Sequence, residues 1–351
     1  MMQLQQRINA FAQLGTFLLQ FAEENPTKNP SVLHNESFFA EMQHALQLAK
    51  SRNTWFTEDN LRFTCKSWGE ALTVSNIAEW LSEYTISEKN SEKRVAIVMA
   101  GNIPLVGFHD FMCVLLSGHK VLGKLSSNDT VLLPFIKKYV LAVEPAFKGF
   151  IELTTEKLEN FDAVIATGSD NTALYFEHYF GKYPNIIRKN RNSVAILTGK
   201  ETPQQMEALA NDIFRYFGLG CRNVSKIYVP ENYNWDHFFN GMFAWKDVIN
   251  NHKYINNYDY NKAVYLMSLE KLLDNEFMIL KEDTGFSSPI SVVFYETYTS
   301  VEEISEQLSS ESEKIQCIVS EKHIPFGEAQ TPKLSDYADG VDTMKFLNSD
   351  F

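Results

Sequence analysis

Arg94-Val-Ala-Ile-Val-Met-Ala100, followed at once by Gly101-Asn-Ile-Pro104, is the stretch that decides the class of fold. A continuous apolar run of this length, with turn residues directly behind it, reads as a strand buried on both faces, as in parallel sheets. Working outward, similar runs recur at Lys120 to Leu125, Phe161 to Thr167 and Ser193 to Thr198. Helical patterns lie between them, at Val106 to Leu116, Thr130 to Val143 and Asn171 to Phe180. Strand and helix alternate, so the predicted class is α/β with a doubly wound, mostly parallel sheet. Such sheets collect ligands beyond the carboxyl ends of their strands. Three turns stand there: Gly101-Asn-Ile-Pro104, Gly123-Lys-Leu-Ser-Ser-Asn128 and Thr167-Gly-Ser-Asp170. None carries the dinucleotide fingerprint of spaced glycines or the phosphate-binding loop of nucleotide hydrolases.

Toward the amino terminus, Ile8, Phe11, Leu14, Leu18 and Phe21 recur at helical spacing over 3–24, and Pro26 stops the pattern. Further helices are predicted around Phe38 to Ala49 and over Trp68 to Tyr84, and 85–93 reads as a solvated connector. Toward the carboxyl terminus, a helix near Met206 to Phe217, a turn at Cys221, a strand to Val229, and strands at Ile290 to Tyr295 and Ile315 to Val319 predict a second α/β unit. The stretch 231–262 is aromatic and Asn-rich, and Pro325 to Pro332 reads as a loop ahead of the acidic segment Leu334 to Leu347. The domains expected are 1–192, helices plus a cofactor-binding sheet; 193–323, the cysteine-bearing unit; and 324–351, packing back on the body.

Composition narrows the function classes. With 351 residues, 44% hydrophobic and 22% charged, the chain is globular and long enough for two cores. A net charge of −12 disfavours nucleic acid and anionic membrane as partners. Cys65, Cys113, Cys221 and Cys317 are too dispersed for a zinc site or a disulfide framework, so no metal is expected and the thiols read as reduced and cytoplasmic. The amino-terminal apolar segment is interrupted by Gln5, Gln6, Arg7, Gln13 and Gln20, which is not the order of a signal peptide, and no run reaches membrane-spanning length.

Cys221 is the residue type that points to chemistry. Gly218 and Gly220 before it leave no side chain between its sulfur and an approaching substrate, and the β-rich Val224 to Val229 anchors it from behind. A thiol so placed is a candidate covalent nucleophile; the plainer reading is a buried, inert cysteine.

The order of the motifs carries more than any one of them. A strand ending in Asn-x-Pro, a strand ending in Lys-x-Ser, a Thr-Gly-Ser turn, a cysteine after a glycine and a late Pro-Phe-Gly together resemble the aldehyde dehydrogenase superfamily. Gly101-Asn-Ile-Pro104, the run Arg188-Lys-Asn-Arg-Asn-Ser-Val-Ala-Ile196 and the tail Asp336-Tyr-Ala-Asp-Gly340 are similar to acyl-CoA reductases related to the fatty-acid reductase of bacterial luminescence. The resemblance spans roughly 94 to 347, by motif and strand context. It implies an aldehyde dehydrogenase-like fold and a Cys221 nucleophile that takes an acyl group from acyl-CoA or an acyl-carrier thioester, to be reduced to aldehyde.

The same resemblance implies Asn102 and the Cys221 backbone N–H as oxyanion donors. It sets Lys124 and Ser126 at the adenosine ribose and a 2′-phosphate, Thr167, Gly168 and Ser169 at the pyrophosphate, and Glu282 at the nicotinamide ribose, although the wording around Glu282 departs from the family's. The expected cofactor is NADPH, with NADH as the alternative, and a homo-oligomer is compatible. Plainer readings stand beside these: Asn102 as a turn residue, Lys124 as a surface lysine, Ser169 as a helix cap. In hydrolytic relatives a glutamate activates water where this chain has Arg188, so the acyl group is expected to pass to a reductant or a thiol rather than to water. The basic run Arg188-Lys-Asn-Arg191 reads as a solvated charged loop, with phosphates or a carrier as its alternative partners. The competing function is a cysteine-dependent acyltransferase or thioesterase without a redox step, which would need a base near the thiol that no adjacent sequence supplies.

Overall fold

The computed structural model describes residues 2–86 and 92–349, so most of the connector expected at 85–93 lies outside the described residues. The chain divides into two compact units, Met1–Lys189 with Lys333–Phe351, and Asn190–Pro332. The first opens with α1 (Leu4–Leu19), α2 (Asn35–Arg52), α3 (Glu58–Ala71) and α4 (Val74–Leu81). The stripe expected over 3–24 faces inward: Ile8 is buried and Phe11, Leu14, Leu18 and Phe21 are fully so, and Phe17 joins them. The single helix expected over Trp68 to Tyr84 is two helices. Leu72 leaves helical geometry at ψ 53, and the Thr73 hydroxyl accepts the Asn76 N–H and starts α4 afresh.

Five parallel strands follow: β1 (Arg94–Val98), β2 (Lys120–Lys124), β3 (Ile151–Thr154), β4 (Ala163–Thr167) and β5 (Asn185–Arg188), in spatial order β3-β2-β1-β4-β5. Helix α5 (Phe108–Leu116) links β1 to β2, α6 (Leu132–Val143) links β2 to β3, and α7 (Asp170–Phe180) links β4 to β5. The chain winds outward from β1 to β3 and then resumes at β4 on the other side of β1. The reversal of winding therefore falls between β1 and β4, the point at which open α/β sheets bind ligands. Val98 pairs with both Lys124 and Ala166, so β2, β1 and β4 end nearly level and their three turns share one edge. Val95, Ala96 and Ile97 are essentially without exposure, which is why β1 is apolar after Arg94.

The second unit contains β6 (Asn192–Ile196), α8 (Pro203–Phe214), β7 (Val224–Pro230), α9 (Trp235–Met242), α10 (His252–Met267), β8 (Leu272–Asp274), β9 (Ile279–Glu282), β10 (Val292–Tyr298), α11 (Val301–Ser310) and β11 (Ile315–Val319). Its sheet runs β11-β6-β7-β10-β9-β8 and is parallel except for β8, which pairs antiparallel with β9. The asparagines of 231–262 are in part helix starts: Asn234 accepts the His237 N–H to open α9, and Asn251 accepts those of Lys253 and Tyr254 to open α10. From Lys333 the chain rejoins the first unit, where α12 (Thr343–Leu347) lies against α5. His119 bonds through Nε2 to the Leu347 carbonyl at 2.9 Å, and Trp80 Nε1–H donates to the Tyr337 hydroxyl at 2.8 Å.

Candidate active site

Cys221 stands in a turn whose geometry departs from the helix expected through Phe217. Pro203 and a Thr202–Gln205 capping box start α8, but Arg215 swings to ψ 134, and Tyr216, Phe217 and Gly218 follow with φ of 55°, 59° and 77°. Left-handed backbone opposes a Cβ by about 1–2 kcal/mol per residue, so two buried aromatics in that region need outside support. Asn223 supplies it. Its Nδ2 donates to the carbonyls of Asp212 (3.2 Å), Ile213 (3.2 Å) and Arg215 (2.6 Å), groups that the end of a helix leaves without intrahelical partners. Its Oδ1 accepts the Gly220 N–H at 2.8 Å. From the other side, the fully buried Ser193 donates its hydroxyl to the Cys221 carbonyl at 2.8 Å and lies 2.9 Å from the Cys317 sulfur.

The Pro-Phe-Gly segment closes on the same turn. Asp212 accepts the N–H groups of Gly327 (2.6 Å) and Ala329 (3.0 Å), and Arg222 Nε–H donates to the Ala329 carbonyl. Burial pushes the Asp212 carboxyl up to about 7 against those two bonds. All four cysteines are thiols, and their surroundings separate them sharply. Cys65, Cys113 and Cys317 are buried, whereas Cys221 is exposed. Burial drives the Cys65 thiol up to about 12, and burial together with the nearby Asp110 charge puts Cys113 well above the ordinary thiol range.

In the first unit, the turns after β1, β2 and β4 bring together Asn102, Lys124, Ser126, Thr167, Gly168 and Ser169 at one edge of the sheet. The Met99 N–H donates to the Lys124 carbonyl at 3.1 Å, and a Cβ on Gly101 would collide with Ser126 Oγ, so only glycine lets these turns touch. Asn53, buried and given no role by sequence reasoning, bridges them by donating to the carbonyls of Gly101 (3.4 Å) and Asn128 (3.3 Å). A polar residue 48 positions before Gly101 carries no pattern that would have marked it. Lys124 is half-buried and makes no ion pair among the described residues, while Ser126 accepts the Asn128 N–H at 3.3 Å. Ser169 is the N-cap of α7, accepting the Thr172 N–H, and Gly168 N–H donates to the Arg188 carbonyl at 3.4 Å.

Cys221 and Glu282 belong to the second unit. Glu282 is exposed at the carboxyl end of β9, in register with Tyr295 of β10, and β10 stands between it and β7. Arg188 corrects the reading of a solvated loop. It is 4% exposed and pairs bidentately with the equally buried Asp110, with Nη2 also 3.0 Å from the Thr343 hydroxyl. Burial alone would raise the Asp110 carboxyl, but the Arg188 charge and hydrogen bonds hold it below the usual carboxylate range. Lys189 does lie in solvent, 2.9 Å from Glu177. Among the described residues no group of His, Cys, Asp and Glu is arranged to hold a metal ion, and no helix is long and apolar enough to cross a membrane.

Solved aldehyde dehydrogenases share this architecture. Aldehyde dehydrogenase 21 from Physcomitrella patens, crystallised with the product succinate, superposes with a TM-score of 0.63 at 14% identity, over 91% of this chain and 74% of that one. The indole-3-acetaldehyde dehydrogenase AldA of P. syringae, a cysteine-to-alanine mutant in complex with NAD+ and IAA, gives 0.60 at 13% identity over 87% and 69%. The aldehyde dehydrogenase KauB from Pseudomonas aeruginosa gives 0.61 at 12% identity over 87% and 69%. These superpositions establish the aldehyde dehydrogenase-like fold. No curated protein matches the sequence. The profile of the acyl-CoA reductase (LuxC) family matches residues 36–240, more than half of the 351, and this chain belongs to that family.

Proposed function

We propose that the protein reduces a fatty acyl thioester, acyl-CoA or its carrier-protein equivalent, to the aldehyde, with NADPH as reductant and Cys221 as the site of a covalent acyl-enzyme. The observation that carries this reading is the contrast among the cysteines in a member of the acyl-CoA reductase family: three thiols are buried, and one is exposed on a braced turn. The thiolate of Cys221 attacks the thioester carbonyl, its sulfur forms the new C–S bond, and the carrier leaves as its own thiolate, so one thioester is exchanged for another. Each addition puts negative charge on the former carbonyl oxygen. Asn102 and the Cys221 N–H are the donors assigned to it, and one such donor is typically worth about 3–4 kcal/mol in the transition state.

The edge of the first sheet suits a nicotinamide dinucleotide. The winding reversal between β1 and β4, a lysine with no carboxylate partner among the described residues, and the Thr167-Gly-Ser169 turn opening α7 together offer positive charge and backbone N–H groups. Lys124 and Ser126 would hold the adenosine ribose and its 2′-phosphate, Thr167, Gly168 and Ser169 the pyrophosphate, and Glu282 the nicotinamide ribose. When bound, the reduced nicotinamide supplies the hydride that converts the thioester carbon to the aldehyde. Arg188 favours this outcome over hydrolysis: it is committed to Asp110, and no carboxylate occupies its position to activate water.

The test is intact mass after incubation with a medium- or long-chain acyl-CoA, followed by a chase with NADPH or NADH. The expected result is an acyl adduct mapping to Cys221, stable in buffer and discharged as aldehyde by NADPH. Release of free fatty acid in buffer alone would move the protein to the thioesterase class, and an adduct on another residue would refute the assignment of Cys221.

A further inference from the structure

Two side chains outside the assigned chemistry grip the backbone on either side of Cys221. The Gly220 N–H is held by Asn223 Oδ1 at 2.8 Å, and the Cys221 carbonyl is held by the Ser193 hydroxyl at 2.8 Å. These bonds fall on the peptide planes immediately before and after the one that joins Gly220 to Cys221. That middle plane carries the Cys221 N–H, and it is held both through its two pinned neighbours and by the backbone N–H of Asn223, which donates to the Gly220 carbonyl at 3.1 Å. Asn223 has a second hold on the segment, through the carbonyls of Asp212, Ile213 and Arg215, and it thereby braces the left-handed Tyr216-Phe217-Gly218 reversal that delivers the chain to Gly220. Both side chains are buried, Asn223 at 2% and Ser193 at 0% exposure, so each bond is shielded from water on its side-chain end. Ser193 has one hydroxyl hydrogen, spent on the Cys221 carbonyl, so the 2.9 Å contact with Cys317 is a bond that the thiol donates to the serine oxygen.

We infer that Asn223 and Ser193 are positioning residues that aim the Cys221 N–H at the oxyanion formed when the thiol adds to a carbonyl. The inference rests on the proposed role of Cys221 as nucleophile, but not on the identity of the acyl carrier or the reductant. It distinguishes two reactions of the same sulfur. Addition to a carbonyl develops an oxyanion and depends on where the N–H points, and small misplacements there can lower a rate by on the order of a hundredfold. Alkylation by iodoacetamide displaces iodide at a saturated carbon and develops no oxyanion.

The experiment compares the two rates in the full chain, using p-nitrophenyl acetate as acyl donor and iodoacetamide as alkylating agent, with both adducts mapped to Cys221 by peptide mass. Ser193→Ala removes one hydroxyl with little change of volume. Asn223→Asp keeps the acceptor for Gly220 and loses the three donated bonds, while Asn223→Ala loses both. The expected result is that acylation falls about tenfold in Ser193→Ala and about a hundredfold in Asn223→Ala, with alkylation within about threefold of wild type. Asn223→Asp is expected to fall between the two, because it retains one of the pinning bonds. A parallel fall in both rates would show that the two residues merely hold the turn together, and unchanged acylation would show that they aim nothing; either overturns the inference. Failure of acyl-CoA to acylate the wild type, with p-nitrophenyl acetate still reacting at Cys221, would instead count against the proposed substrate and leave the positioning claim intact.

Discussion

Replacing Asp110 by Ala should unfold the first unit at markedly lower denaturant, because it strands the Arg188 guanidinium in a site where it is 4% exposed. The magnitude follows from what remains. Arg188 loses a bidentate carboxylate and, among the described residues, keeps the Thr343 hydroxyl at 3.0 Å as its hydrogen-bond partner with the Asp339 charge nearby, and breaking a buried pair from one side typically costs about 3–5 kcal/mol. Against an ordinary domain stability of about 5–15 kcal/mol, that is roughly a fifth or more of the total. Removing both charges together, as Asp110→Leu with Arg188→Met, should recover most of the loss, since apolar replacement of an entire buried pair is often neutral. The assay is urea denaturation read by hydrogen exchange, with amides of β1 and β2 reporting the first unit and amides of β6 and β7 the second. Only the first set should change. The carboxyl is held below its ordinary range, so its contribution is complete above about pH 4 and is lost as pH falls through the lowered folded value. A double variant as unstable as Asp110→Ala, or a single variant within about 1 kcal/mol of wild type, would refute the reasoning, because each contradicts the cost of an uncompensated buried charge.

Further outcomes are expected. Cys221→Ser should abolish aldehyde formation with the melting temperature unchanged, whereas Cys317→Ala should lower acylation modestly through Ser193; single-turnover kinetics separates the two. Asn102→Ala should reduce kcat by on the order of a hundredfold with little change in cofactor affinity, read by steady-state kinetics beside a binding titration. Lys124→Ala should weaken NADPH about tenfold or more and NADH far less, measured by calorimetry; equal losses would remove Lys124 from the 2′-phosphate. Because burial raises Asp212 to about 7, the fold favours its protonated form: the stability this gives is complete below about pH 4 and is lost as pH rises toward 7, and Asp212→Asn should flatten that slope in the second unit.

The strands legible in the sequence are mostly those inside the two sheets, together with β11, an edge strand whose largely apolar Ile315 to Val319 run shows it. β1, β2, β4, β6 and β7 are buried on both faces along most of their length and carry apolar runs, interrupted in β7 by Ser225 and Lys226, and those runs are the pattern that marks them. β3, β5 and β8 lie at sheet edges and β9 lies next to one; they have three or four residues each, partly exposed, too few for a period to show. The same limit governs the site. Asn102, Lys124, Ser126 and the Thr167 to Ser169 turn are visible because they follow apolar runs directly. Asn223 looks like an ordinary polar residue before β7 and Ser193 like one inside β6, and their importance comes from the carbonyls left open at the end of α8 and from the register of β6 beside β7, neither of which is written locally. Arg188 misleads for a related reason: within Arg188-Lys-Asn-Arg191 it looks solvated, and its partner Asp110 is 78 residues away.

The return of the chain to the first unit after Pro332 sets an order on its synthesis. Residues 190–332 are contiguous and can close as soon as they clear the ribosome. The first unit has its whole sheet by Arg188, yet α5 still waits for its cover. Asp110 and Arg188 lack Thr343, His109 lacks the Leu334 carbonyl, and His119 lacks that of Leu347 until these residues emerge. The nascent first unit must therefore carry α5 with the face that α12 covers still wetted through the translation of the entire second unit. During that interval it is the earlier-made half of the protein, not the later one, that a chaperone would find unfinished.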